Sequence, residues 1–186
     1  MIRYIKGDIT TSDCDLICHQ VNCQGAMNSG VAKAIREKWP KVYENYRIKY
    51  EECVWCKRSP LGDIQIVALY DDYYKTNKHQ CVVNLFSQEN FGYDGKRYTS
   101  YDAFWNCLNL LKETILPEQT IAFPYKIGCV RGGANWSIIR TMIEEVFKDR
   151  DVYFYYLNDE DLDRKAKDYI SVQQYLKEFK EEYLNV

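Results

Sequence analysis

The residue types best suited to chemistry gather between His19 and Ala32, in the run HQVNCQGAMNSGVA. His19 carries an imidazole that titrates near neutrality when unperturbed, and Asn22 brings a donor and an acceptor three residues later. Gly25, Asn28, Ser29 and Gly30 then supply turn-forming positions before a helical pattern set by Val31, Ala34, Ile35 and Trp39. A strand that ends in such a turn and opens a helix leaves several backbone N–H groups unpaired at the helix N-terminus, where they attract phosphate or another anion. A ligand is therefore expected at this loop.

A second stretch of the same kind runs from Lys126 to Trp136, as KIGCVRGGANW. Gly128, Cys129, Val130, Arg131, Gly132 and Gly133 follow the strand expected at Ile121 to Phe123, and Asn135 is placed to cap a helix that starts near Trp136. Two such loops suggest two walls of one cleft. Between them, SQENFGYDGKRYT (Ser87 to Thr99) carries Phe91 and Tyr93, either a cover for a sugar or a solvated connection. Its Glu89 and Asp94 are carboxylates available to a reaction.

The elements that must position these residues follow from hydrophobic period. Short strands are expected at Ile2 to Ile5 and Asp15 to His19, the latter apolar at nearly every position, as in a strand covered on both faces. Helical patterns follow at Val31 to Lys38 and, after the break at Pro40, at Val42 to Tyr50. Gly62 to Tyr70 and His79 to Phe86 read as strands joined by a polar turn, a spacing that suits a hairpin. Tyr101, Phe104, Trp105, Leu108, Leu111 and Ile115 recur at helical spacing within Ser100 to Ile115. Thr120 to Pro124 and Val152 to Leu157 read as strands around a helix at Trp136 to Phe147, which makes the class α/β. Asp159 to Val186 is charged throughout, with one apolar stripe of Tyr169, Val172, Leu176, Phe179 and Tyr183. It reads as one or two helices laid against the domain or a partner.

At 186 residues the chain is one domain by length, large enough to bury roughly 70% of its unfolded surface. The 25 Lys+Arg nearly balance 27 Asp+Glu, so no whole-protein field draws nucleic acid or an anionic membrane, and an anion must be held locally. MIRYIKGD carries no apolar signal core, and no run approaches the ~20 apolar residues of a bilayer span. A soluble cytoplasmic protein is expected. The eight cysteines are accordingly expected as thiols, with Cys14, Cys18, Cys81 and Cys107 acting as small hydrophobes. Cys53 and Cys56 form a lone C-x-x-C without the four ligands that structural zinc takes, so no metal is expected.

Three motifs in order resemble the macrodomain family, which binds ADP-ribose. They are Gly7-Asp8-Ile9 after the first strand, His19-x-x-Asn22-Cys23-x-Gly25 with Gly30-Val31-Ala32, and Ile127-Gly128-Cys129 followed by a glycine turn and Asn135-Trp136. The resemblance covers about residues 2 to 157. It implies a three-layer α/β/α macrodomain over 1–158, with a mixed, about six-stranded sheet, and a C-terminal helical extension over 159–186 packed on it.

The resemblance further implies that Asp8 bonds the adenine amino group and Ile9 touches the ring. Gly25, Asn28, Ser29, Gly30 and Val31 would surround the distal ribose. Gly128 to Gly133 would cradle the diphosphate, and a bulky residue at Gly132 would fill that site while leaving the domain folded. Tyr156 and Asn158 complete the implied ligand set. Read from the residues alone, Asp8 could instead cap a turn with Thr10 and Thr11, Asn22 could be a turn residue, and His19 a satisfied buried group.

The chain also resembles macrodomains of the terminal ADP-ribose protein glycohydrolase type, in Ile127-Gly128-Cys129 and Met142 to Phe147. Their lysine and aspartate fall here at Gln88 and Gly132, so that chemistry is not implied. The first loop is closer to yeast ADP-ribose-1''-phosphate phosphatase, with its H-x-x-N-C-x-G before G-[IV]-A. That implies chemistry at C1'' of the distal ribose, where Asn22 would orient the ribose or the attacking water and His19 would move a proton with an unshifted pKa. The expected partner is ADP-ribose or a derivative, with no separate cofactor, no membrane, and nucleic acid only as an ADP-ribosylated substrate. The alternative is a non-catalytic reader or sponge of ADP-ribose or a related nucleotide. Composition is compatible with a bacterial or phage source.

Overall fold

A computed structural model describes residues 1–69, 79–171 and 174. Six strands form one sheet: β1 (Ile2–Lys6), β2 (Leu16–Asn22), β3 (Ile64–Ala68), β4 (Cys81–Gln88), β5 (Ile121–Pro124) and β6 (Val152–Tyr156). Their order is β1-β6-β5-β2-β4-β3, with every pair parallel except β3 with β4. The expected hairpin pairing is thus present, while its polar turn lies outside the described residues.

Helices cover both faces. α1 (Gly30–Lys38) and α2 (Pro40–Trp55) lie on one face, where Ile35, Trp39 and Val42 pack on Ile17, Val82 and Ala122. Pro40 stands at the start of α2, where a missing N–H costs nothing. α3 (Tyr101–Thr114) and α4 (Trp136–Val146) lie on the other, with Phe104, Leu108, Trp136 and Ile139 against Leu16, Cys18, Phe123 and Phe154. Ser100 accepts from the Ala103 amide and Asn135 from the Ser137 amide, capping α3 and α4. The architecture is α/β/α with a mixed six-stranded sheet.

The chain after β6 turns back over the β1–β6 side of the sheet. Leu162 and Ala166 are buried with Tyr156, the Tyr4 and Tyr169 rings lie 5.6 Å apart, and the Asp163 amide donates to the Tyr125 hydroxyl at 2.8 Å. Residues 164–171 are helical. Of the expected apolar stripe, Val172, Leu176, Phe179 and Tyr183 lie outside the described residues. All eight cysteines are free thiols, with Cys14, Cys18 and Cys107 buried and Cys81 partly so.

One feature of the topology positions the crevice. β2 pairs with β5 only at Leu16↔Ile121 and Ile17↔Ala122; beyond this, β2 continues against β4 and β5 against β6. The chain leaves β2 toward the α1/α2 face and leaves β5 toward the α3/α4 face. Adjacent parallel strands whose connections depart to opposite faces leave a crevice at their carboxyl ends, the place where open α/β sheets take ligands.

Candidate functional site

That crevice holds about 340 Å3. His19, Gln20 and Asn22 from β2 line it, with Asn28, Ser29, Gly30 and Val31 from the first loop and helix start. Gln88, Phe91 and Tyr93 line it from the β4–α3 connection, and Gly128, Val130, Arg131 and Gly132 from the second loop. The two glycine loops are therefore two walls of one cleft. No Asp or Glu lies among the lining residues.

The first wall is tied by Asn22. Its Oδ1 accepts from the Gln24 amide at 2.9 Å, the Ala26 amide at 3.3 Å and the Tyr46 hydroxyl at 2.8 Å, and its Nδ2 donates to the Ala26 carbonyl at 2.7 Å. One amide hydrogen is left for a ligand, so Asn22 shapes the loop before it touches anything in the crevice. Ser29 precedes α1 without a side-chain capping bond, and the first intrahelical bond runs from Lys33 to Ser29. The N–H groups of Gly30, Val31 and Ala32 thus face the crevice as an anion-binding end of the helix.

The second wall rests on a hydrogen-bond chain whose direction is fixed. The Thr99 hydroxyl must donate to the Gly128 carbonyl at 2.9 Å, so it accepts from Gln20 Nε2 at 2.9 Å. Gln20 Nε2 also donates to Gln88 Oε1 at 3.0 Å, which leaves Gln88 Nε2 as a donor and Gln20 Oε1 as a buried acceptor with no partner among the described residues. Gly128, at φ +72°, and Gly132 sit directly on this chain. A Cβ on Gly128 would meet Gln20 Oε1 at 2.2 Å, and one on Gly132 would meet Thr99 Oγ1 at 2.1 Å and the Gly128 carbonyl oxygen at 2.4 Å. A bulky residue at Gly132 would therefore displace the second loop as well as fill the site, because the missing Cβ points into the loop's own support. Among the described residues the amides of Gly128, Val130, Arg131 and Gly132 make no backbone hydrogen bond, the arrangement that binds anions. Arg131 stacks on Tyr93 with its guanidinium 4.3 Å from the ring centroid.

His19 lies at the floor, 1% exposed, and burial pushes its pKa down to about 4. The expectation of an unshifted imidazole is thus corrected: at neutral pH His19 is uncharged because desolvation disfavours the cation. Its Nε2 is 2.5 Å from Asn84 Oδ1, and its Nδ1 has no partner among the described residues. Of the two carboxylates offered by the connecting loop, Asp94 is exposed and held below its ordinary pKa by hydrogen bonds from Tyr98 and Lys96, and neither it nor Glu89 lines the crevice.

Asp8, Ile9, Tyr156 and Asn158 sit on the same rim, farther along. Asp8 follows β1, and Asn158 follows β6; with β6 between β1 and β5, the carboxyl ends of four parallel strands span three steps, about 14 Å. Asp8 Oδ1 accepts from the Thr10 amide at 2.9 Å and so caps the turn at Ile9–Thr11, where Ile9 is buried. Asp8, Ile9, Gly25, Cys129, Gly133, Tyr156 and Asn158 do not line the crevice itself. Sequence reasoning missed Gln20 and Asn84; a polar residue inside an otherwise apolar strand was the available signal.

Among the described residues no three His, Cys, Asp or Glu side chains cluster as metal ligands, and no helix is long and apolar enough to cross a membrane.

An open α/β/α sheet with a crevice at the β2/β5 split and two amide-lined loops is the architecture of macrodomains, and the chain has the macrodomain fold. No protein-family profile matches it. An uncharacterized 17.5 kDa protein from the tk-vs intergenic region of enterobacteria phage T4 is 33% identical over 149 residues, covering 77% of this chain and 88% of that protein. A DNA ADP-ribosyl glycohydrolase of Mycobacterium tuberculosis is 23% identical over 149 residues, covering 80% of this chain; the chain spans only 39% of that protein's length. An ADP-ribose 1''-phosphate phosphatase of Scheffersomyces stipitis is 40% identical over 52 residues, 25% of this chain and 30% of that protein. The macrodomain of M. tuberculosis DarG superposes with a TM-score of 0.69 at 20% identity, over 85% of this chain and 99% of that one. Thermosipho africanus DarTG, solved in complex with ADP-ribose, gives 0.70 at 19% identity, over 89% of this chain and 44% of that one.

Proposed function

We propose that this macrodomain binds ADP-ribose along the carboxyl rim of its sheet and presents the distal ribose to His19, for hydrolysis of a group linked at C1''. The observation that carries the reading is the crevice at the β2/β5 split, walled by two sets of unpaired backbone amides. The helix start at Gly30 and the Gly128–Gly132 amides suit the diphosphate. The rim from β5 to β1 gives the adenosine room to reach Asp8 and Asn158, with Tyr156 beside them. DarTG, which shares the fold over 44% of its chain, was solved in complex with ADP-ribose, and two relatives are named for chemistry on ADP-ribosyl or ADP-ribose phosphate groups.

A specific observation favours the second reading, a non-catalytic reader. Gln88 and Gly132, where glycohydrolase-type macrodomains carry lysine and aspartate, both line the crevice, and no carboxylate joins them. Calorimetry with ADP-ribose, followed by turnover assays on ADP-ribose-1''-phosphate and on ADP-ribosylated DNA and protein, separates the two. Binding with turnover of any C1''-linked substrate establishes the hydrolase, and binding alone establishes the reader.

A further inference from the structure

Beneath α2 a single polar rung crosses the sheet between two apolar ones. On the α1/α2 face Ile17 stands beside Val82 and Val21 beside Phe86, whereas between them His19 stands beside Asn84 and Asn84 beside Gln65. His19 and Asn84 are 1% and 0% exposed. A buried polar rung is costly unless its groups are paired, and here the pairing runs in one direction only.

The direction is set at the far end. Gln65 Nε2 lies 2.9 Å from the backbone carbonyl of Asn45 in α2. A carbonyl only accepts, so the amide nitrogen of Gln65 must face it and Oε1 must face Asn84. Asn84 Nδ2 donates to that oxygen at 2.9 Å, which turns Asn84 Oδ1 toward His19 Nε2 at 2.5 Å. The imidazole must then carry its hydrogen on Nε2. Nδ1, on the other side of the ring, is left as a buried acceptor with no partner among the described residues, in a residue that lines the crevice.

We infer that Gln65 and Asn84 are positioning residues that hold His19 in its Nε2–H form, so that Nδ1 accepts a hydrogen bond from a hydroxyl of the sugar at the crevice floor. The floor thus selects a hydroxyl-bearing group and rejects a phosphate there, since a phosphate dianion brings only acceptors to an acceptor. The sugar contact rests on the ADP-ribose reading, whereas the tautomer does not.

Nitrogen-15 NMR of the imidazoles tests both parts on the full chain, which has only two histidines, with His79→Gln assigning the second set of signals. Ligand-free wild type is expected to show His19 with a protonated, pyrrole-like Nε2 and a pyridine-like Nδ1. Asn84→Leu is expected to give a mixture of tautomers and about a tenfold loss of ADP-ribose affinity, the scale of one hydrogen bond. A protonated Nδ1 in the wild type, or an unchanged tautomer in Asn84→Leu, overturns the inference. If that variant does not fold, Gln65→Ala on half-exposed β3 frees the Asn84 amide to rotate, and a single unchanged tautomer there overturns it equally. Saturating ADP-ribose should move the Nδ1 resonance in the direction of hydrogen-bond acceptance. An unmoved Nδ1 despite calorimetric binding overturns the sugar contact. No calorimetric binding overturns the ADP-ribose reading and that contact with it, while the tautomer stands or falls on the ligand-free spectrum.

Discussion

The loop after β2 is tied by a side chain, and the loop after β5 is shaped by the lack of them. Asn22 gathers two backbone amides and the Tyr46 hydroxyl into one knot, so the first wall is defined by a residue that faces inward to its own loop. Across the crevice, Gly128 and Gly132 lie so close to Gln20, Thr99 and each other that no Cβ fits, and the backbone amides are what remain to face a ligand. The same chemical task, holding an anion on N–H groups, is thus built by positive ties in one loop and by exclusion of volume in the other, and the two fail differently on substitution.

Asn22→Ala should have the largest effect. It leaves the Gln24 and Ala26 amides without their acceptor, while the Tyr46 hydroxyl keeps the Asn22 backbone carbonyl at 2.8 Å, at a cost of about 3 kcal/mol in unfolding free energy. Stability by denaturant melt and ADP-ribose affinity by calorimetry should fall together. Loss of turnover alone, at unchanged stability and affinity, would show that Asn22 acts on the ligand and not on the loop.

The floor between the walls responds to acid. His19 has a folded pKa of about 4 against about 6.5 in the unfolded chain, so the unfolded state binds the extra proton between those values. The stability this gives is complete above pH 6.5 and is lost as pH falls toward 4, by about 3 kcal/mol. His19→Gln should flatten the slope of denaturant midpoint against pH in that window; an equal slope in both proteins would place the titration elsewhere.

Gly132→Ala should come next, since overpacking typically costs about 1–3 kcal/mol, and here it displaces Thr99 or the Gly128 carbonyl. Its signature is a loss of ADP-ribose affinity out of proportion to the modest drop in melting temperature. An undiminished affinity would remove the second loop from the site. The smallest effect is at Asp8, where Asp8→Ala should lose about 1 kcal/mol of capping and weaken ADP-ribose about tenfold. Asp8→Asn keeps an acceptor for the Thr10 amide, and comparing the two by melting and calorimetry separates the cap from a contact with adenine.

Much of this was legible in the chain itself. Hydrophobic period located the strands and helices, because a two-sided sheet demands apolar strands and amphipathic helices whatever their order. Gly25, Gly30, Gly128 and Gly132 marked the loops for the same local reason. What the residues could not disclose was adjacency. That β2 parts from β5 after Ile17 depends on pairing across more than a hundred residues, and the polar rung of His19, Asn84 and Gln65 exists only once three strands are in register. His19 looked like a neutral-range base because its pKa is set by burial, which those contacts create. The loop-tying role of Asn22 was hidden because its partners, the Gln24 and Ala26 amides and Tyr46, become neighbours only in the folded loop against α2.

Titration calorimetry of the full chain tests directly whether the crevice between the two loops is an ADP-ribose site. Saturable one-to-one binding of ADP-ribose, lost in Gly132→Ala and much weaker for inorganic phosphate or ribose alone, is the predicted result. No binding heat with ADP-ribose, or equal binding by wild type and Gly132→Ala, would contradict it.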